Sequence, residues 1–408
     1  MAFYQVFWTF LKLGCTSFGG PIAHLIYFRH QFVEREKWLS DQDYTQIVGL
    51  CQTLPGPASS QVGFALGMLK AGIWGGIAAF VGFTLPSFIL LVVFANFITL
   101  FDSAVGAAAL HGLIILAFVV VLQGVLGMAK QLCASKETFT LAALAFIAVL
   151  TVSSVLVQAG VILLALVLAY LFLDSGPNNA SNNAISANKM AVKSSQMSTQ
   201  LSISRTTSVL ALCLFLGLFI LLPFAETLLG QSSALNLANT FYFSGALVFG
   251  GGHVVLPLLE QATVAQGIIS EDAFLAGYGA TQAVPGPMFA FAAYLGFVID
   301  DGLSPVVGAL LATIFVFLPG FLLVIACLPT WQSLSQKPGL KRAFAGANAA
   351  VVGLLAAALY NPIFQHAILN QSDVIISVLA FTALAKWKVP VLSVLGFCIA
   401  ASIGVSQL

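Results

Sequence analysis

Two short runs constrain this chain more than anything else in it. Gln52-Thr53-Leu54-Pro55-Gly56-Pro57 and Gln282-Ala283-Val284-Pro285-Gly286-Pro287 each sit inside a long apolar stretch. Proline lacks an N–H and clashes with the preceding turn, and glycine frees the backbone, so Pro-Gly-Pro cannot continue a helix. In a bilayer, irregular backbone is tolerated only where protein buries it or a water-filled cavity solvates it. Paired breaks at corresponding places in two halves point to the binding site of a transporter.

The bilayer is implied by composition. Of 408 residues, 60% are hydrophobic and only 7% charged, against about 25% charged in a soluble domain. Mean hydropathy is +1.02. A net charge of +1 with thinly spread basic residues gives no footprint for nucleic acid. The six cysteines are scattered without a C-x-x-C, and the six methionines do not cluster, so neither a disulfide framework nor a soft-metal path is expected. No basic region followed by a small-residue cleavage site opens the chain, so no cleaved signal peptide is expected. The fold class is therefore an all-α polytopic membrane protein with broken helices, expected to cross about 10–13 times.

Apolar stretches at 3–28, 44–69, 71–101, 104–128 and 139–173 precede a Ser- and Asn-rich segment at 174–205. That segment reads as a flexible polar linker. It divides an N-terminal repeat, 1–173, from a C-terminal repeat, 206–408. The stretch 139–173 is long enough for one tilted crossing or two short ones. Three landmarks recur in order. Phe249-Gly250-Gly251 follows Phe18-Gly19-Gly20 by 231 residues, Pro285 follows Pro55 by 230, and Leu318-Pro319 answers Leu85-Pro86, with Pro319 following Pro86 by 233. A nearly constant offset argues for duplication. Loop 29–43 carries Arg29, Arg35 and Lys37, whereas its counterpart 260–272 has only acidic charges; loop 329–342 is basic, whereas its counterpart at 102–103 holds only Asp102. The positive-inside rule puts the members of each pair on opposite faces, as inverted-topology repeats require.

The breaks suggest chemistry. A proline near a helix start is preorganised there. Pro57 therefore opens a half-helix capped by Gly56, whose free N–H groups at Ala58, Ser59 and Ser60 point into the break. A helix N-terminus bears about half a positive charge and suits an anion. Ser59, Ser60 and Gln61 add polar side chains, and Gln52 and Gln282 lie just before the two breaks. Pro287 opens the matching half-helix after Pro285 and Gly286. Gly19, Gly20 and Pro21 have the same look, and Gly250, Gly251, Gly252 and His253 answer them. Each motif has a plainer reading: a proline kink that shapes packing, or glycines that let helices approach. His24 and His253 are candidates to carry a proton or meet an anion, though a lone histidine is more often a hydrogen-bonded structural residue. Lys12, ionisable within an apolar stretch, is a third charge candidate, unless it sits at the interface. Nothing marks an enzyme: G-x-S-x-G, H-E-x-x-H and the nucleotide-binding G-x-x-x-x-G-K-[ST] are all missing.

With these residues in view, the chain resembles the chromate ion transporter family in its long, two-domain form. The resemblance rests on Phe18-Gly-Gly-Pro, on Gln52-Thr-Leu-Pro-Gly-Pro with Ser60-Gln61, and on Phe249-Gly-Gly-Gly with Leu256-Pro-Leu-Leu-Glu260. Gln282-Ala-Val-Pro-Gly-Pro with Tyr294-Leu-Gly completes it. The resemblance implies export of chromate across the bacterial inner membrane, giving chromate resistance. It also implies that sulfate, a dianion of like shape, competes or is itself carried. A sulfate or other anion importer and a passive anion channel remain alternative readings. The partners expected are the oxyanion, the lipid bilayer, a proton as coupling ion and a second copy of the chain in a homodimer. No cofactor, metal or nucleic acid is called for.

Overall fold

The computed structural model describes residues 2–98, 103–152, 154–173, 204–229, 232–249, 254–331 and 337–407. The polar segment expected to link the halves lies almost wholly outside these residues. Among the described residues every regular element is helical. In hydrocarbon only a helix satisfies its backbone polar groups within one segment.

The first half runs α1 (Ala2–Thr16), α2 (Gly20–Arg29), α3 (Asp41–Thr53), α4 (Ala58–Asn96), α5 (Ala104–Leu132), α6 (Lys136–Thr151) and α7 (Val155–Phe172). The second runs α8 (Arg205–Leu229), α9 (Ser233–Ala246), α10 (Val255–Thr263), α11 (Glu271–Ala283), α12 (Phe291–Val298), α13 (Pro305–Cys327), α14 (Pro338–Ala358), α15 (Gln371–Ala385) and α16 (Val391–Ser406). The stretch 139–173 is thus two helices. Ser135 caps α6 by accepting from Thr138 N, and Val152 leaves the helix with extended backbone. Among the described residues five helices are long and apolar enough to cross a bilayer alone. Several of the others are short apolar helices or flank a break.

Helix α4 bends where the sequence places a gap between two stretches, not at its internal Pro86. Ala71 (φ −145°) and Gly72 (φ 64°) leave helical geometry and fold 58–70 back against 73–96. Glycines seal that hairpin: a Cβ on Gly67 would fall 2.3 Å from the Gly75 carbonyl oxygen. The second half repeats the device. A Cβ on Gly296 of α12 would fall 2.3 Å from the Gly308 carbonyl oxygen of α13. Gly14 of α1 meets the Phe83 carbonyl, and Gly245 of α9 meets that of Val316, in the same corresponding way.

The halves interlock. Helices α6 and α7 of the first half pack on α14 of the second, while α15 and α16 pack on α5 of the first. Between them, Phe64 of α4 stacks on Phe321 of α13 at 4.4 Å, with Phe80 5.0 Å from the rings of Phe317 and Phe321. Such pairs add about 0.5–1.5 kcal/mol beyond their buried area. Aromatic packing thus holds the two repeats together at the level of the breaks.

Candidate functional site

Each Pro-Gly-Pro turn docks on the opposite half. Gly56 donates its N–H to the Val248 carbonyl (2.7 Å), and Gly286 donates to the Ser17 carbonyl (2.9 Å). Ser17 and Val248 each precede a Phe-Gly-Gly. The two bonds are therefore one contact made twice, exchanged between repeats, as a pseudo-two-fold axis requires. Both glycines are needed. Gly56 has φ +122° and Gly286 φ +105°, where side chains are strained. A Cβ on Gly56 would also lie 2.9 Å from Gly320 Cα, and one on Gly286 2.8 Å from Ser87 Oγ. Gly320 and Ser87 follow Pro319 and Pro86. All three duplicated landmarks thus converge at the centre.

A cavity of about 10 Å³, room for one water-sized body, lies there, lined by Pro21, Pro57, Ala58, Ser59, Pro287, Met288 and Phe289. Three helix starts meet at it. Gly19 (φ 98°) turns the chain into α2, with Pro21 in its first turn. Pro57 caps α4, whose helix begins at Ala58 rather than at Pro57 itself. Pro287 opens a 3₁₀ turn, Met288–Ala290, that runs on into α12. The first backbone N–H groups of a helix have no partner within it, so the walls present donors and the positive ends of peptide dipoles.

The side chains are unequal. On the α4 side Ser59 Oγ lies 3.4 Å from Nδ1 of His24, which is fully buried with its ring edge-on to Phe83. His24 Nε2, Ser17 Oγ and Ser60 Oγ are buried without a hydrogen-bond partner. On the α12 side the corresponding positions are Met288, Phe289 and Ala290. The site is thus polar on one wall and apolar on the other.

Of the residues singled out in the sequence, Pro21, Pro57, Ser59 and Pro287 line the cavity, and Gly20 approaches Met288 from α2. Pro55, Gly56, Pro285 and Gly286 form the two turns behind it. Gln61 works as a strut: its Nε2 donates to the Pro55 carbonyl (2.9 Å) and the Gly320 carbonyl (3.2 Å), tying the first turn to the second half. Gln52 is exposed, and Gln282 is half-buried with Nε2 unpartnered. Lys12 is exposed on α1 and reaches no part of the cavity. An aliphatic stem carrying a charge stays favourable on an outward face near a helix end. Gly250, Gly251, Gly252 and His253 lie outside the described residues. Met288 and Phe289 are cavity walls that no polar motif announces.

An all-α membrane protein of two repeated halves, with crossed half-helices around a small central cavity, is the architecture of a solute transporter. The chain belongs to the chromate transporter family, whose pattern matches residues 4–173 and again 235–405. It is 26% identical to a chromate transport protein of Pseudomonas aeruginosa over 364 residues, covering 88% of this chain and 80% of that one. A chromate transport protein of Cupriavidus metallidurans is also 26% identical, over 397 residues and 94% and 88% of the two chains. An uncharacterized transporter of Methanocaldococcus jannaschii is 25% identical over 360 residues, covering 86% and 82%. No solved structure matches.

Proposed function

We propose that this chain is a secondary active transporter that exports chromate, or a tetrahedral oxyanion like it, across the bacterial inner membrane. The observation that carries the reading is the convergence of three helix starts, from both halves, on one cavity at the Pro-Gly-Pro breaks. A dianion entering a membrane must exchange its water for other donors or counter-charge. Unpaired N–H groups, helix dipoles and the Ser59 hydroxyl supply donors, and no Lys or Arg lines the cavity. Binding without a fixed cation keeps the anion releasable. Chromate and sulfate share charge and shape, so a cage of N–H donors separates them poorly. The relatives named as chromate transport proteins support chromate as the substrate to test first.

Alternating access follows if the halves, in inverted topology, rock about their interlocked centre. The exchanged Gly56–Val248 and Gly286–Ser17 bonds lie on that pivot. The test is accumulation of labelled chromate by inverted vesicles under an imposed proton gradient, with and without excess sulfate. The variant Pro55→Ala/Pro57→Ala/Pro285→Ala/Pro287→Ala, matched for membrane insertion, runs beside it. Gradient-dependent accumulation that sulfate suppresses and the variant loses is the expected result. Chromate flux indifferent to the gradient would instead make the protein a channel, and no flux would remove the oxyanion reading.

A further inference from the structure

The repeat breaks its own chemistry at one pair of positions. Glu260 follows Arg29 by 231 residues and Glu271 follows Asp41 by 230, the offsets of the other landmarks. In the first half the pair is an exposed ion pair, Arg29 Nε to Asp41 Oδ1 at 2.7 Å. In the second half both members are carboxylates, late in α10 and at the start of α11. No Lys or Arg occurs anywhere in 260–272.

His366 completes the group from the turn after α14. Its Nε2 lies 3.1 Å from Glu271 Oε2, and its Nδ1 lies 3.2 Å from the Pro362 carbonyl oxygen. A carbonyl oxygen only accepts, so Nδ1 carries a hydrogen. An ionised carboxylate oxygen also only accepts. The second contact therefore needs a hydrogen too: either the imidazole is doubly protonated or Glu271 is a carboxylic acid. One exchangeable proton is held between them. Glu260 is part-buried late in α10, at the position that repeats Arg29, whose side chain meets the Asp41 that Glu271 repeats. Burial, with the charge of Glu271 adding to it, pushes the Glu260 carboxyl up to about 7. Glu271 is itself raised by burial, with His366 opposing and Asp272 adding.

We propose that Glu260, Glu271 and His366 form the proton-binding site through which proton movement is coupled to anion movement. The proposal rests on the transporter reading above. Helix α11 joins the two sites. It starts at Glu271 and ends at the second Pro-Gly-Pro turn, 13 residues on, or about 20 Å at 1.5 Å per residue. With one proton shared between Glu271 and His366 that pair is neutral, so an ionised Glu260 gives that end of α11 its net negative charge, which repels a dianion. A proton taken from water onto a Glu260 oxygen removes that charge, and its later release restores it. At the corresponding place in the first half Arg29 pairs with both Asp41 and Glu34, so a cation stands where Glu260 does. The other charged groups on elements packed against α10 and α11 are spoken for or remote. His111 of α5 faces Asp373 at 3.1 Å, Lys70 of α4 lies over the Trp38 ring, and Lys341 and Arg342 start α14 at its other end. Lys130 lies in the last turn of α5.

The experiment compares two modes of transport by the purified full chain in proteoliposomes. Exchange of internal for external chromate at equal pH needs no net proton movement, whereas accumulation driven by a pH gradient does. Glu260→Gln is expected to keep exchange near the wild-type rate and to lose gradient-driven accumulation by about tenfold or more, one pK unit of coupling. Glu260→Asp is expected to restore it. Infrared difference spectra taken across neutral pH are expected to show a carboxyl C=O band that Glu260→Gln removes. Gradient-driven accumulation unchanged in Glu260→Gln, or exchange and accumulation falling together, would overturn the proposal. Wild-type protein that neither exchanges nor accumulates chromate, while the carboxyl band still titrates, would overturn the substrate reading and leave the proton site standing.

Discussion

Gly67→Ala and Gly127→Ala make the same chemical change in two long helices, and the structure assigns them opposite signs. A Cβ at position 127 on α5 meets nothing within 4 Å. Alanine there gains helix propensity, up to about 1 kcal/mol. At position 67 the new Cβ would sit 2.3 Å from the Gly75 carbonyl oxygen and 2.8 Å from Ala79 Cβ. An ordinary contact is near 3.4 Å or more, so the two arms of the α4 hairpin must part by about 1 Å. The obstacle is backbone, so no rotamer relieves it, and overpacking of this kind costs about 1–3 kcal/mol. The expected gap between the two variants is therefore about 1–3 kcal/mol, the overpacking, since the propensity gain is common to both helical positions and cancels. Titration of the folded protein with SDS in mixed micelles, followed by tryptophan fluorescence, reads that gap. Because the shorter arm delivers Ala58 and Ser59 to the cavity, chromate uptake should fall in Gly67→Ala and not in Gly127→Ala. If Gly67→Ala proves as stable as Gly127→Ala, the close approach of the arms is wrong, and so is the position it gives the helix start.

Three further outcomes are expected. Ser59→Ala removes the one hydroxyl on the cavity wall; a hydrogen bond to a charged ligand contributes about 1.5–3 kcal/mol, so half-saturation for chromate should rise by about 10- to 100-fold, measured in vesicles. Gln61→Leu leaves the Pro55 and Gly320 carbonyls unpaired at about 1–3 kcal/mol each, and should lower the SDS unfolding midpoint even where cavity residues are untouched. Glu34 is held below the usual carboxylate range, first by hydrogen bonding from His30 and then by the charge of Arg29. Its contribution is present above that range and is lost as pH falls through the lowered value. Acidification at low salt should therefore loosen the 29–41 segment, seen as faster protease cleavage there, and Glu34→Gln should abolish the pH dependence.

The landmarks were readable because they are local rules broken twice. Proline and glycine fix backbone geometry wherever they stand, so Pro55-Gly56-Pro57 and Pro285-Gly286-Pro287 announced two turns. Their common offset announced duplication. Pairing across the chain was not readable. Nothing local in Gly56 says that its N–H will meet Val248, nearly 200 residues on, or that α6 and α7 will leave α5 for α14. Side-chain direction was equally hidden: Gln61 looks like a solute ligand and serves as a strut, while Lys12 falls on an exposed face of α1. The apolar cavity wall carries no polar signal, yet Met288 and Phe289 could be inferred from their place after the second break. Lys70, which sits over the Trp38 ring at 5.0 Å, needed the fold before its partner could be named.

The interlocking of α5 with α15 and α16, and of α14 with α6 and α7, bears on how such a chain can be made. A repeat released alone would expose in its long helix the very surface its sibling covers, and would bury its own last two helices against nothing. Two severed pieces should therefore be degraded when made singly and survive when made together, reassembling without a covalent tether. Seen that way, making both halves in one chain supplies two mutually dependent pieces in equal number.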